Sequence, residues 1–465
     1  MTAGAGSGPF EFSDTIAAAA TVPGRGALAV LRLSGPRAHD IARAVAERWP
    51  DAARVSTLTT IRSGDGTELD QAVLVRYDAP ASFTGEDAVE ITTHGGLVVP
   101  TTVLAALVAK GARLALPGEF TRRAVLNGKL DILQAEAVGD LVDARSGAAQ
   151  RAAMQQLDGG LTRRIMALRD SVIGLEALIA YDIDFPEEDD GPVAPGRIRS
   201  SADATIAALE QLLATARAGE LVREGALVVL AGAPNVGKSS LFNALLGQRR
   251  AIVTPSPGTT RDAIEAVIDT PAIPLRLVDT AGLRDATDPV ERIGVEVSES
   301  YLSRAAVVLA CADDPNSLDA VAATCREHTE AALVVVHTKS DLAPLDREFT
   351  ARASAIVAAP VVSVSAETGE GIDALLQATV ETVTRGAGSL DTDAPMLTAE
   401  RHRHGVARAL DEVRAFRARW GTEGVPAPVA AVHLREAATA LEDLIGVVDV
   451  DDVLDEVFRR FCVGK

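Results

Sequence analysis

The residues best placed to do chemistry are G-A-P-N-V-G-K-S at 232–239, directly after the apolar run A-L-V-V-L-A (226–231) and before S-L-F-N-A-L-L. Gly232 and Gly237 permit a tight loop whose backbone amides, across Asn235, Val236, Gly237, Lys238, Ser239 and Ser240, can surround a β-phosphate. Lys238 would reach the β/γ oxygens and the Ser239 hydroxyl would bind Mg2+. A chance glycine-rich turn would explain this pattern alone, but not its place between a buried strand and a helix. D-T-A-G (279–282) follows the strand-like L-R-L-V. Asp279 would then hold Mg2+ through water at a strand end, followed by Thr280 and Ala281, with the Gly282 amide sensing a γ-phosphate. Between the two motifs, G-T-T-R-D (258–262) supplies Gly258, Thr259 and Thr260, whose hydroxyl would join the Mg2+ shell when the γ-phosphate is present.

Base choice rests on T-K-S-D (338–341) and S-A-E (365–367). The Asp341 carboxylate can accept from guanine N1–H and the N2 amine, the Lys339 stem can lie across the ring, and Ser365, Ala366 and Glu367 would face the guanine carbonyl. Taken alone T-K-S-D is a weak pattern; after a phosphate loop at this spacing it is strong. Thr338 stands where the usual pattern has Asn, which predicts a missing or weaker hydrogen bond to the base or to the phosphate loop. Leu283 follows D-T-A-G where many small GTPases carry a water-positioning glutamine, so another group must orient the attacking water. Arg261 and Arg284 are nearby, and read as solvated charges.

These motifs need a scaffold. Short apolar strands at 226–231, 275–278, 306–310, 332–336 and 361–364 alternate with helical patterns, which predicts a parallel sheet covered by helices. Before them, 130–220 has Ala and Leu at helical spacing, broken only by the acidic, proline-bearing stretch at 182–192. After the linker-like 386–395 helical spacing returns. The start is mixed, with strands expected at 27–33 and 72–77 and helices at 36–48 and 99–109. The fold class is therefore multidomain: an α+β N-terminal domain (1–126), an all-α helical domain in two parts (127–222 and 387–465), and an α/β P-loop GTPase domain (223–386) inserted between them.

Composition bounds the partners. The chain has 465 residues, beyond one hydrophobic core, and a net charge of −20, a field that repels polyphosphates, so nucleic-acid contact must be local or brought by a partner. Aromatics at 3% argue against a large base-stacking platform. Cys311, Cys325 and Cys462 are too few and too scattered for a disulfide framework or a tetrahedral metal site, which fits a reducing cytoplasmic setting. Neither a signal-like start nor a membrane-length apolar run is evident. Arg122–Arg123, Arg163–Arg164 and R-H-R-H (401–404) read as exposed helix faces rather than RNA contacts, and Cys311 as core.

Beyond these motifs, D-T-I-A-A-A-A-T-V-P-G-R-G (14–26), S-F-T-G-E-D (82–87), H-G-G (94–96), L-P-G-E-F-T-R-R-A-V-L-N-G-K-L-D (116–131), I-D-F-P-E-E-D (183–189) and the terminal F-C-V-G-K resemble the bacterial tRNA-modification GTPases called MnmE or TrmE, over essentially the whole chain. The resemblance implies a homodimer through the N-terminal domains and an FAD-dependent partner. Together they would install an aminomethyl-type group on C5 of the wobble uridine of certain tRNAs, using a folate one-carbon unit and GTP hydrolysis. By position it implies Glu291 as the catalytic glutamate and K+ held by Asn235 and by Thr254, Ser256 and Thr259. It also implies 5-formyltetrahydrofolate or a related folate at Arg32, Glu90, Lys129 and Lys465; read from the residues alone, those four are solvated charges. Cys462 either belongs to a docked tail assisting one-carbon chemistry or is incidental. The competing reading is a GTP-switched assembly or binding protein in which hydrolysis only times partner release.

Overall fold

The computed structural model describes residues 13–184, 195–248, 251–253, 265–279, 300–356, 360–385, 387, 390–420, 427–446 and 464. It divides into two compact units, residues 1–139 with 445–465, and residues 140–444.

In the first unit, strands β1 (Ile16–Ala19), β2 (Gly24–Ser34), β3 (Thr57–Arg62), β4 (Glu68–Tyr77), β5 (Ala88–Gly96) and β6 (Arg113–Leu114) form one sheet in the order β3-β4-β5-β2-β1-β6. Neighbours run antiparallel except β1 and β6. Period-two alternation puts Ala29, Leu31 and Leu33 of β2 on a buried face, where Leu31 and Leu33 join Leu74, Val89 and Ile91 and meet Ile41, Val103 and Leu107 of helices α1 (Ala38–Arg43) and α2 (Val98–Ala109). Each such side chain contributes ~1.5–3 kcal/mol by leaving water. The opposite face of β2 carries Arg32, which the strand register sets directly across from Glu90 of β5. The helix expected over 36–48 is only α1, because Ala46 leaves it to form an isolated antiparallel bridge with Ile61.

Helix α3 (Glu119–Leu126) follows, and here the expectation for Arg122 and Arg123 is overturned: both are buried, Arg123 at 2% exposure. Arg123 can leave water because Asp14, Glu86 and Glu119 surround it, with Glu119 Oε1 at 3.1 Å and Glu86 Oε1 at 3.2 Å from its guanidinium. Helix α4 (Ile132–Asp143) ends the segment.

The second unit opens with helices α5 (Gly147–Leu157), α6 (Gly160–Asp184), α7 (Pro195–Leu213) and α8 (Ala216–Glu224). Ser146 caps α5, its hydroxyl accepting the Ala149 amide at 3.0 Å. The α/β part then runs β7 (Ala226–Ala231), α9 (Lys238–Gln248), β8 (Ala251–Val253), β9 (Glu265–Ile268), β10 (Leu275–Asp279), β11 (Val307–Ala312), α10 (Pro315–His328), β12 (Ala332–His337), α11 (Arg347–Ile356), β13 (Val361–Ser363) and α12 (Ile372–Thr384). Helices α13 (Glu400–Arg419) and α14 (Ala427–Ile445) follow.

The sheet order is β13-β12-β11-β7-β10-β9-β8. Its first five members, the strands expected from the sequence, are mutually parallel, whereas β9 and β8 are antiparallel additions that the sequence reading did not include. The reason is chain length: the turn 269–274 between β9 and β10 is too short for the crossover that parallel pairing demands. Buried on both faces, β7 sends Val228 and Leu230 into one apolar cluster and Leu227 and Val229 into the other. At the turn, the Asp269 carboxylate accepts the Gly147 amide at the start of α5 (3.3 Å), and Arg151 Nη2 donates to the Pro271 carbonyl (3.4 Å).

Candidate nucleotide site and a second cavity

Strand β7 ends at Ala231 and releases the chain into the loop before α9. A Cβ on Gly232 would lie 2.4 Å from the Cys311 carbonyl oxygen, so only glycine lets the loop pass β11 this closely. Asn235 and Gly237 take left-handed conformations, φ 63° and 94°. Those reversals bring the loop to the first turn of α9, where amides without helical partners favour an anion. Lys238 is buried, and its ammonium donates to Ala233 O (2.8 Å) and Gly232 O (3.0 Å). Ser239 Oγ donates to Asp279 Oδ2 at 2.7 Å, uniting the two phosphate motifs across neighbouring parallel strands.

No cluster of three or more His, Cys, Asp or Glu suited to a metal exists among the described residues. The hydroxyl and carboxylate of Ser239 and Asp279 are nevertheless the oxygen donors Mg2+ takes when water and phosphate complete its shell. Ser240 follows Ser239 in the first turn of α9.

The residues expected to read the base converge from the ends of β12 and β13. Ser365, fully buried, donates to Asp341 Oδ1 at 2.6 Å, fixing the carboxylate, and the Ser340 amide donates to Val364 O. Lys339 sits at φ 57° with Nζ 2.7 Å from Asp313 Oδ2. That hydrogen bond holds the Asp313 carboxyl below its ordinary range. Asp313 went unread in the sequence, where nothing distinguishes it from Asp314. Ala366 is half-buried and Glu367 exposed. Thr338 keeps a tie to the phosphate loop: its hydroxyl donates to Val236 O at 2.6 Å. The hydrogen bond expected to be lost at this position is thus present on the loop side. Cys311 lies in the core with its thiol pushed up to about 12 by burial. Thr254, Ser256, Gly258, Thr259, Thr260, Thr280, Ala281, Gly282 and Glu291 lie outside the described residues.

The first unit holds a separate cavity of about 180 Å³ whose lining includes Arg32, Ser34, Tyr77, Phe83, Glu90 and Phe120. Arg32 Nε donates to Glu90 Oε1 at 2.8 Å and the Tyr77 hydroxyl to Glu90 Oε2 at 3.2 Å; Phe83 lies 5.9 Å from the guanidinium. Burial first, and then the Glu90 charge, hold the Tyr77 phenol above its ordinary value, so it remains a neutral donor. Arg32 and Glu90 therefore come together as a cross-strand pair.

Lys129, the third expected partner, donates to Pro80 O at 3.1 Å from an exposed position, and is not among the residues that line the cavity. Lys465 and Cys462 lie outside the described residues. Gly464 is buried, and a Cβ there would sit 2.5 Å from the Ala19 carbonyl oxygen.

In the cavity wall, Ser34 Oγ donates to Glu86 Oε2 (2.6 Å) and lies 2.6 Å from Thr84 Oγ1. Glu86 in turn meets Arg123 at 3.2 Å. Burial pushes the Asp14 carboxyl up, but hydrogen bonds from Arg113 and Arg123 outweigh it and leave Asp14 below its ordinary value. Ser34, Tyr77, Thr84 and Glu86 were not singled out from sequence; S-F-T-G-E-D was the available signal for two of them.

Comparison with known proteins matches two family models, the GTP-binding protein TrmE N-terminus over residues 15–129 and the MnmE helical domain over residues 132–462. A protein of Azoarcus sp. named tRNA modification GTPase MnmE is 43% identical over 97% of this chain and 98% of its own length. One of the same name from Laribacter hongkongensis is 42% identical over 97% and 99%. Among solved structures, the G domain of the T. maritima FeoB iron transporter is 30% identical, covering 34% of this chain and 98% of that one, with a TM-score of 0.27.

Proposed function

The chain belongs to the MnmE family of tRNA modification GTPases, and on that premise we propose that it couples GTP hydrolysis to modification of C5 of the wobble uridine in certain tRNAs. An FAD-dependent partner enzyme would act with it to install an aminomethyl-type, carboxymethylaminomethyl, group. The observation that carries this reading is the match to relatives named for tRNA modification over nearly their full length. That no helix among the described residues is long and apolar enough to cross a membrane is compatible with a cytoplasmic setting.

The proposed division of labour follows the four segments 1–126, 127–222, 223–386 and 387–465. In the α/β segment, residues 235–240 bind phosphate, Ser239 and Thr260 hold Mg2+, and Asp341 selects guanine. Glu291 positions the attacking water, in place of a residue at 283. Mg2+ supplies charge neutralisation at the phosphate oxygens when bound. K+, held by Asn235 with Thr254, Ser256 and Thr259, would serve where an arginine finger serves elsewhere.

A folate carrying a one-carbon unit would enter the first unit at Arg32 and Glu90, with Lys129 and Lys465 as further contacts. The cavity is smaller than the ~300–1,000 Å³ of a complete ligand pocket, so it suits one end of such a molecule. Support for a homodimer comes from the exposed apolar side chains Val22, Leu28, Leu97 and Val98 of this unit.

Nucleoside analysis of tRNA from a deletion strain tests the central claim. Loss of the modified wobble uridine, restored by this chain, is the expected result; unaltered tRNA would favour a GTP-switched assembly role. Faster hydrolysis in K+ than in Na+, with the difference abolished by Asn235→Ala, tests the cation.

A further inference from the structure

Among the described residues Phe83 is the one aromatic side chain that stands exposed, at 42%; every other described Phe, Tyr and Trp is buried or half-buried. Exposure of a single apolar residue is ordinary. What sets Phe83 apart is its place in the lining of the N-terminal cavity, with its ring centroid 5.9 Å from the Arg32 guanidinium, at the outer reach of a cation–π contact.

The loop that carries it is tied at several points. Arg54 Nη2 donates to Ala81 O (2.8 Å), Lys129 Nζ to Pro80 O (3.1 Å) and Asn127 Nδ2 to Thr84 O (2.7 Å). Within the loop, Ser82 Oγ donates to Glu86 O at 2.5 Å, and Gly85 turns at φ 79°, where a Cβ would come within 3.1 Å of the Asn127 Cβ. A platform fixed in this way loses little freedom when a ligand settles on it, so the contact its ring makes is kept as affinity.

Glu90 sets the polar character of the cavity. An ionised carboxylate offers about four acceptor positions, and Arg32 and Tyr77 each fill one. What remains calls for donors and repels a second carboxylate. Leu33, Val89 and Phe120 add apolar lining.

We propose that Phe83 is a ligand-contact residue, the surface on which the planar, donor-bearing ring end of a folate lies, while the glutamate arm points out of the cavity. The proposal rests on reading this cavity as the folate site, and adds to that reading the surface that holds the ring. A 2-amino-4-oxo pteridine edge carries neighbouring N–H groups that Glu90 can accept, and its flat face matches Phe83. A ring slipped between Phe83 and Arg32 would need ~7 Å, two contacts of ~3.5 Å each. The exposed phenyl therefore turns from Arg32 onto the ligand, exchanging a weak cation–π contact for a stacked one.

The test is calorimetric titration of the full-length protein with 5-formyltetrahydrofolate, in Phe83→Ala, Phe83→Leu and Phe83→Tyr. Phe83→Ala removes the surface and should weaken binding roughly tenfold, with the thermal midpoint and GTP hydrolysis unchanged because the side chain is exposed and belongs to the first unit. Leu keeps apolar area without a flat face and should lose about fivefold, whereas Tyr keeps the ring and should stay within about twofold of the native protein. In competition against the same ligand, 6-hydroxymethylpterin should weaken in Phe83→Ala by the same factor as the whole ligand, and p-aminobenzoylglutamate by less than about twofold.

Undiminished affinity in Phe83→Ala would overturn the proposal outright. Leu binding as well as Tyr would overturn the stack in favour of apolar area alone. Loss of the p-aminobenzoylglutamate fragment instead of the pterin would overturn the orientation, placing the arm inward on Arg32. Should Phe83→Ala not fold, the Leu and Tyr pair decides. The underlying site assignment is tested separately: it fails if the native protein shows no saturable binding of 5-formyltetrahydrofolate, or if Arg32→Ala and Glu90→Gln bind it as the native protein does, whatever Phe83 does.

Discussion

Around the candidate nucleotide site the side chains make separate short ties, Lys339 to Asp313, Ser365 to Asp341 and Ser239 to Asp279. Beside the N-terminal cavity, one buried guanidinium, Arg123, meets Asp14, Glu86 and Glu119 together, and Arg113 closes the cluster onto Asp14 and Glu119. In the first arrangement each tie fixes one loop, so a substitution should change ligand selection more than folding. In the second, charges compensate one another away from water, so a substitution should change folding first.

The strongest challenge to that contrast is Asp341→Asn. It should shift preference from GTP towards xanthosine triphosphate, a swing of roughly two to three orders of magnitude in relative kcat/KM, with the thermal midpoint little changed. An unaltered preference would remove Asp341 from the base site.

Next is Arg123→Met, which takes the cation from Glu86 and leaves Asp14 and Glu119 to share Arg113, and should lower stability by about 3–5 kcal/mol, read from urea unfolding. A loss below ~1 kcal/mol would show that the cluster is less interdependent than its geometry indicates.

Tyr77→Phe removes one hydrogen bond from Glu90 and should weaken 5-formyltetrahydrofolate binding by about fivefold, measured by calorimetry. Unchanged binding would place the ligand away from that pair.

The smallest effect concerns pH. Burial holds the His337 imidazole below its ordinary value of 6.5, so the folded protein disfavours its protonation. The unfolded chain therefore takes up the proton first, and stability contributed at neutral pH declines as pH falls from 6.5 through the folded value. His337→Gln should flatten this part of the stability curve; the same slope in variant and native protein would assign it to another group.

The same contrast explains what was legible in the sequence. Gly232, Lys238 and Ser239 announce themselves because a phosphate loop is written within a few consecutive residues between a strand and a helix, and Asp279 because D-T-A-G directly follows an apolar strand. Arg123 misled because helical periodicity near 122–123 shows only a polar pair. Its burial depends on Asp14 and Glu86, from segments far away in the chain. Arg32 and Glu90 came from family resemblance; the cross-strand register that joins them is a tertiary fact. Strands β8 and β9 were missed because strands of three and four residues carry too little alternation to separate from loop.

The clasp at the far end of β9 has a mechanical consequence. In the chain, residues 254–264, which carry the candidate switch hydroxyl Thr260, lead straight into β9, and β9 leads into the turn held by Gly147 and Arg151 of α5. A four-residue strand is a stiff rod of about 13 Å. Ladders to β10 on one side and β8 on the other hold β9 along its length, so its two ends are carried as one piece. Asp269, directly after β9, ties that piece to a helix of eleven residues through the Gly147 amide. The antiparallel end of the sheet thus links, along one run of chain, the segment expected to sense the γ-phosphate and the first helix of its own unit.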